Sequence, residues 1–154
     1  MGKQITSQAR LSTKDHLAQW YEKTPVGRRL HHQITRELGT QLERLFGYHT
    51  LFLGVPPTVS VEELAHSQTK LIATPDGARV EGAQTVISFD ESLPFDTESI
   101  DTVVVFHGFE VCEEPHQALR EVHRVLVPNG NLIIVGFNPE SVFGLGWLIN
   151  RFVF

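Results

Sequence analysis

The chain has 154 residues, of which 41% are hydrophobic and 20% charged, with a formal net charge of −5. That length makes one domain around one core the expectation, and that composition excludes a disordered chain. The acidic balance excludes a general electrostatic grip on nucleic acid or on an anionic membrane, leaving only a local basic group at Arg28, Arg29 and Arg36.

Residues 1–11 are polar and are expected to be loose. Ser12-Thr13-Lys14-Asp15 has the spacing of a capping box, and Leu17, Trp20 and Tyr21 share one face of the helix it opens. Thr24-Pro25 breaks that helix. A second helix is expected over 26–46, because Val26, Leu30, Ile34, Leu38, Leu42 and Leu45 recur every three or four residues. Gly47 suits the position just past its end. Residues 49–55 (HTLFLGV) read as a first strand, stopped by Pro56-Pro57. Ser60-Val61-Glu62-Glu63 is a second capping box, opening a short helix to about His66. Residues 70–74 (KLIAT) and 84–89 (QTVISF) are the second and third strands, with Pro75-Asp76-Gly77 as a turn after the second.

The most informative stretch is 93–139. Residues 99–106 form a β-branched, nearly uncharged run that suits a strand buried on both faces. Glu114-Pro115 opens a helix, since proline at the first helical position gives up only an amide that has no partner there. Leu119, Val122, Val125 and Leu126 make an apolar stripe on that helix. Pro128-Asn129-Gly130 is expected to stop it and turn the chain into a fifth strand over 132–137. Strand, helix and strand form a βαβ unit with parallel strands and a right-handed crossover. Alternating strands and helices give a parallel α/β sheet. A single domain over 1–154 is expected, with helices at 12–46, an α/β core at 49–139 and an apolar tail at 140–154.

Cys112 is the only cysteine. It excludes an intramolecular disulfide and a four-cysteine zinc site, and it suits a cytoplasmic home. No apolar run reaches the roughly 18–20 residues that span a bilayer. No basic-then-apolar leader opens the sequence. Met1-Gly2 with Thr6 matches a myristoylation pattern too permissive to carry weight. Neither a membrane nor a nucleic-acid partner is expected.

The Leu93-Pro94-Phe95 turn, Asp101 opening the fourth strand, and the segment EPHQALREVHRVLVPNGNLIIVGFNP (114–139) resemble the second half of a class I S-adenosylmethionine-dependent methyltransferase of type 11. The recognisable passage is Arg124-Val125-Leu126, Pro128, Gly130 and Leu132. Trp20-Tyr21 and Thr24-Pro25-x-Gly27-Arg28 are similar to the N-terminal extension of many small-molecule methyltransferases, whose helices lie over the substrate mouth. The same aromatic pair also reads as the apolar face of a docked helix. The resemblance implies a Rossmann-like sheet in the order 3-2-1-4-5, S-adenosylmethionine as cofactor and a small-molecule acceptor. The family carries two strands beyond the fifth. This sequence stops at Phe154 inside an apolar stretch, so the last family strands are expected to be missing. An open fifth-strand edge would then invite association, which makes a homodimer the expected state.

With that strand order, a ligand sits beyond the carboxyl ends of the first and fourth strands, where the order reverses. The resemblance places a glycine-rich loop after the first strand, against the methionine part of the cofactor. Here the residues are Phe52-Leu53-Gly54-Val55-Pro56-Pro57. Gly54 alone is kept, no acidic residue precedes it, and the prolines offer no N–H. The same loop excludes dinucleotide binding, which needs its own glycine pattern. By resemblance, Asp76 is the candidate for the ribose hydroxyls, and it reads equally as the middle of a Pro-Asp-Gly turn. Asp90 is the candidate for the adenine amino group. His107 leaves the fourth strand where related sequences face cofactor and substrate. It is both a cofactor-binding and a catalytic candidate, able to act as a base near neutral pH, or it is a histidine hydrogen-bonded at a strand end. Asn138-Pro139 lines the substrate side or turns the chain.

Glu110, Cys112, Glu113, His116 and His123 are metal-ligand types, but their spacing fits no zinc pattern, and no metal is expected. Cys112 has no activating partner in the sequence and reads as a semi-buried thiol. Arg120, Glu121 and Arg124 read as an exposed charged face. Three functional readings follow: a methyltransferase, a non-catalytic relative that uses the same scaffold for binding or assembly, or a protein that takes a different ligand at the same reversal point.

Overall fold

Five β-rich runs pair into one parallel sheet in the computed structural model, which describes residues 15–54, 67–74, 79–80, 82–88 and 91–138. In chain order the elements are α1 (15–23), α2 (Pro25–Leu42), β1 (His49–Gly54), β2 (Thr69–Thr74), β3 (Gln84–Ile87), β4 (Ile100–Phe106), the short α3 (Gly108–Val111), α4 (Pro115–Val125) and β5 (Leu126–Val135). The strand order is β3-β2-β1-β4-β5, as the resemblance implied. Every described neighbour pair is parallel. The capping box at 60–63, the Pro56-Pro57 pair and the tail at 140–154 lie outside the described residues.

Alternation along the strands builds the two faces of the sheet. Phe52, Ile72 and Val104 point to one side and pack with Leu38 and Leu42 of α2. Leu51, Leu53, Val103 and Val105 point to the other and pack with Val122 and Val125 of α4. β4 lies between β1 and β5 and is buried on both faces except at Asp101. Asp101 has its own task at the entrance of β1. Its Oδ2 accepts the N–H groups of Tyr48 and His49, both at 2.9 Å, and so ties the loop after α2 to the start of β4.

The helices are set by their caps. Thr24 sits between α1 and α2. Its Oγ1 donates to the Trp20 carbonyl and accepts the Gly27 N–H, each at 2.9 Å, so one side chain closes one helix and opens the next. A Cβ on Gly27 would lie 2.3 Å from the Trp20 carbonyl oxygen, so the corner needs glycine. α2 ends at Leu42, short of the expected Phe46. Its last bonds tighten to the i−3 kind, from Arg44 N–H to Gln41 and from Leu45 N–H to Leu42, as the chain bends toward the Asp101 clamp. Val26, counted on the apolar face, is exposed.

In α4, Pro115 takes the first position as expected, and Ala118, Val122 and Val125 are buried. Leu119 is 44% exposed, because the packed stripe runs through Ala118 instead. Pro128-Asn129-Gly130 does not stop the helix. The helix has already ended at Val125, and β5 pairs from Leu126. The three residues form an irregularity between the pairs Ile100↔Leu126 and Thr102↔Asn131, with Asn129 at φ 66°. Glu121 and Arg124 are not a solvated face. Arg124 donates to the carbonyls of Leu93 and Phe95 at 2.9 and 2.8 Å, and Glu121 accepts the Leu93 N–H at 3.0 Å. Their mutual ion pair of 2.8 Å holds the Leu-Pro-Phe turn onto α4 and lowers the Glu121 carboxyl below its usual range. Among the described residues, no helix is long and apolar enough to cross a membrane.

Candidate functional site

The reversal point of the sheet lies between β1 and β4, whose last residues, Gly54 and Phe106, are partners in register. Gly54 has φ 92°, and a Cβ there would lie 2.2 Å from the Phe106 carbonyl oxygen and 2.7 Å from Gly108. The two strand ends therefore pack backbone against backbone, and that close packing requires glycine at 54. The end of β1 beside β4 is also the place of the cofactor implied by the resemblance. Asp76 and Asp90, the other two cofactor candidates, lie outside the described residues.

His107 follows directly. It has left-handed φ and ψ of 52° and 20°, and it starts α3. Its N–H donates to the Val135 carbonyl at 2.8 Å, which ties the end of β4 to the end of β5. The turn aims its imidazole at α1. There the Tyr21 hydroxyl lies 2.6 Å from Nε2. On the other side of the ring, Nδ1 lies 3.3 Å from Glu110 Oε1, and that oxygen also accepts the Phe137 N–H at 2.8 Å. A carboxylate can only accept, so Nδ1 is the donor to Glu110, and in that tautomer Nε2 is the acceptor for the Tyr21 O–H. Tyr21, His107, Glu110 and the Phe137 amide thus form one directed chain of hydrogen bonds. Tyr21 and His107 are 2% and 1% exposed.

The electrostatics agree with that chain. Burial pushes the Tyr21 hydroxyl far above its ordinary range, and the Glu110 charge pushes it further, so it stays a donor. Burial alone would raise Glu110. The bonds from His107 and from Phe137 N–H outweigh it, and the carboxyl sits below its ordinary value. His31 of α2, with its ring 5.2 Å from that of Tyr21, is lowered by burial and by His107 and His32, with Glu22 opposing. The His107 ring lies 4.9 Å from the Phe106 ring and 4.6 Å from the Phe137 ring.

A groove of about 560 Å³ opens between α2 and the end of β5. Leu30, Ile34, Ile133 and Phe137 form apolar wall, Gln33, Arg36 and Gln41 supply polar groups, and Tyr21 and His107 also line it. It lies one strand away from the β1–β4 reversal point, and His107 belongs to both places. Asn138 lines the groove, and Pro139 lies outside the described residues. Trp20 and Tyr21 are part of a docked helix face, with Tyr21 against Phe106, and Tyr21 also lines the groove.

Sequence reasoning missed the roles of Tyr21 and Glu110 toward His107. The spacing of three between His107 and Glu110, at a strand-to-helix turn, was the available local signal. Nothing local links Tyr21 to a residue 86 positions away. Of the other ligand-type residues, Cys112 is buried while His116 and His123 lie exposed on α4. Among the described residues, no three such groups are placed to hold a metal.

Residues 59–134 match the family described as Methyltransferase domain. The chain is 31% identical over 127 residues to the uncharacterized protein YafS of Escherichia coli strain K12, covering 81% of this chain and 50% of that protein. It is 38% identical over 56 residues to the demethylmenaquinone methyltransferase of Thermus thermophilus, covering 35% of this chain and 26% of that one. The chain thus spans half or less of the length of these curated relatives. Among solved structures, it is similar to a chain in the complex between the Haloferax volcanii Trm112 methyltransferase activator and a methyltransferase. The TM-score is 0.63 at 21% identity, over 89% of this chain and 66% of that one, which is a likeness of fold.

Proposed function

We propose that this chain, which belongs to the class I S-adenosylmethionine-dependent methyltransferase family, transfers a methyl group to a small-molecule acceptor held in the groove between α2 and β5. S-adenosylmethionine is the expected cofactor, and when bound it supplies the methyl group as a sulfonium electrophile. Gly54 is the residue at the reversal point that would lie against it, with Asp76 and Asp90 as its ribose and adenine candidates. One observation carries the reading. His107 follows Phe106, the register partner of Gly54, and at the same time lines the groove, so it stands between a cofactor place and an acceptor place. Holding an acceptor in line with the reactive carbon supplies much of the rate in such a reaction. Leu30, Ile34 and Phe137 do that orienting here, and His107 faces the acceptor's polar end through the Tyr21 hydroxyl. The Thermus thermophilus relative is named for demethylmenaquinone, which supports a small organic acceptor.

A second reading has its own observation. Tyr21 and His107 are almost fully buried and bonded to each other, as in a plug that docks α1 onto the sheet. A non-catalytic relative that binds or assembles through this scaffold would keep that plug for stability alone. Titration with S-adenosylmethionine and S-adenosylhomocysteine, by calorimetry or thermal shift, separates the two. Micromolar binding that is lost on Gly54→Val or Asp90→Ala is the expected result. No stabilisation at millimolar ligand would leave the non-catalytic reading in place.

A further inference from the structure

We propose that Tyr21, His107 and Glu110 form a one-proton relay, in which Tyr21 takes the proton of a hydroxyl-bearing acceptor, His107 stores it, and Glu110 is the positioning residue. The proposal rests on the methyl-transfer reading above. Its observations are the 2.6 Å contact from Tyr21 to Nε2, the 3.3 Å contact from Nδ1 to Glu110, the 2.8 Å amide bond that pins the carboxylate, and the place of Tyr21 and His107 on the groove wall.

The direction of the bonds permits one movement. With its proton given to Nε2, the Tyr21 hydroxyl on the groove wall keeps lone pairs that can accept an acceptor O–H. As that proton arrives on Tyr21 Oη, the Tyr21 proton passes to His107 Nε2. The acceptor oxygen keeps the electron pair that becomes its bond to the methyl carbon, and the pair of the broken carbon–sulfur bond stays on sulfur. The relay ends as neutral Tyr21, a His107 imidazolium and the Glu110 carboxylate. The relay resets when the Nε2 proton returns through the Tyr21 hydroxyl to water in the emptied groove, which leaves Nδ1–H on Glu110 as before. Before the step the buried unit carries one negative charge; after it the His107–Glu110 pair is neutral. Burial opposes the new imidazolium charge, and the Glu110 carboxylate beside Nδ1 offsets that cost. The titratable group facing the relay from α2 is His31; Phe137, packed on the His107 ring from beyond β5, adds none.

Two measurements test the proposal on the whole chain. Nitrogen-15 NMR of the ligand-free protein is expected to show His107 protonated on Nδ1, with Tyr21→Phe moving the Nε2 resonance. A ring protonated on Nε2 alone would overturn the relay. The second probe is para-nitrophenol, whose ionised form is yellow. It is expected to bind yellow at a pH where the free compound is colourless. Tyr21→Phe and Glu110→Gln should each weaken that ionisation about tenfold or more while S-adenosylhomocysteine affinity stays within about twofold. A purely structural role for Glu110 would leave the colour unchanged in any variant that still folds, and would overturn the proposal. Colourless binding, or no binding, also overturns it. A chain that ionises para-nitrophenol but fails to bind S-adenosylhomocysteine keeps the relay and loses the methyl-transfer reading. A chain with the opposite pair of results does the reverse.

Discussion

Beneath α4 the sheet presents Leu51, Leu53, Val103 and Val105 to Val122 and Val125, and every one of these side chains is buried. On the opposite side, Leu38 and Leu42 make a similar apolar layer at one end, but at the carboxyl end of the strands the buried groups are Tyr21, His31 and His107. Both sides exclude water, and the second does so around groups that carry or exchange protons. A dry apolar layer depends on volume, because interiors are close-packed and a missing methyl leaves a void. A buried polar chain depends on partners, because a donor or acceptor left alone loses its water without compensation. The rims differ in the same way. Arg124 and Glu121 bind backbone groups at the edge of the α4 side, whereas the edge of the other side is an open groove. The comparison separates where this fold gains its stability from where it can do chemistry.

The sharpest attack on the apolar side is Leu51→Ala. Leu51 has no exposure in the centre of the sheet, and its truncation should lower unfolding stability by about 3 kcal/mol in denaturant titration. A loss no greater than that of Tyr21→Phe would erase the contrast between the two sides. Tyr21→Phe itself keeps the volume and removes the donor to His107. It should cost about 1–2 kcal/mol and loosen α1, read as faster amide exchange in residues 15–23. Arg124→Ala should cost about 1–2 kcal/mol, its ionic part being weakened because a third of the side chain stays in water.

The pH dependence should come from the polar side and from Glu121 at the edge of the α4 side. His31 has a folded value below the ordinary 6.5. The unfolded chain therefore takes up the proton first, and stability falls as the pH drops through that ordinary value toward the folded one. Glu110 and Glu121 are also lowered, so a second loss follows as the pH falls below the ordinary carboxylate value of 4.5. Thermal melting against pH checks both limbs, and His31→Gln should flatten the first. The smallest effect is expected at Ile134, which is 54% exposed on β5. Ile134→Ala should change stability by less than about 0.5 kcal/mol at low protein concentration. A larger, concentration-dependent loss would show that a second copy covers this strand.

Much of the architecture was legible before any coordinate. The β-branched run ending at Phe106, Pro115 at the head of α4 and Thr24-Pro25 between α1 and α2 all act within a few residues, so a linear reading reaches them. The errors lie where distant groups intervene. α2 stops early because Asp101, more than fifty residues on, captures the backbone of Tyr48 and His49. Pro128-Asn129-Gly130 looked like a turn, yet pairing of its flanks with β4 made it an irregularity within a strand. Arg124 looked solvated until the Leu-Pro-Phe carbonyls were placed against it.

For the candidate site, the sequence by itself determined that His107 leaves a buried strand and that Gly54 ends another, since strand periodicity and the absence of a side chain are local properties. Only the tertiary structure decided what His107 means. It brought Tyr21 from 86 residues away to Nε2, turned Glu110 back onto Nδ1, and opened the groove beside them. Hydrogen bonds of that kind require two elements to be packed at a fixed distance, and that distance follows from the shape of the whole core.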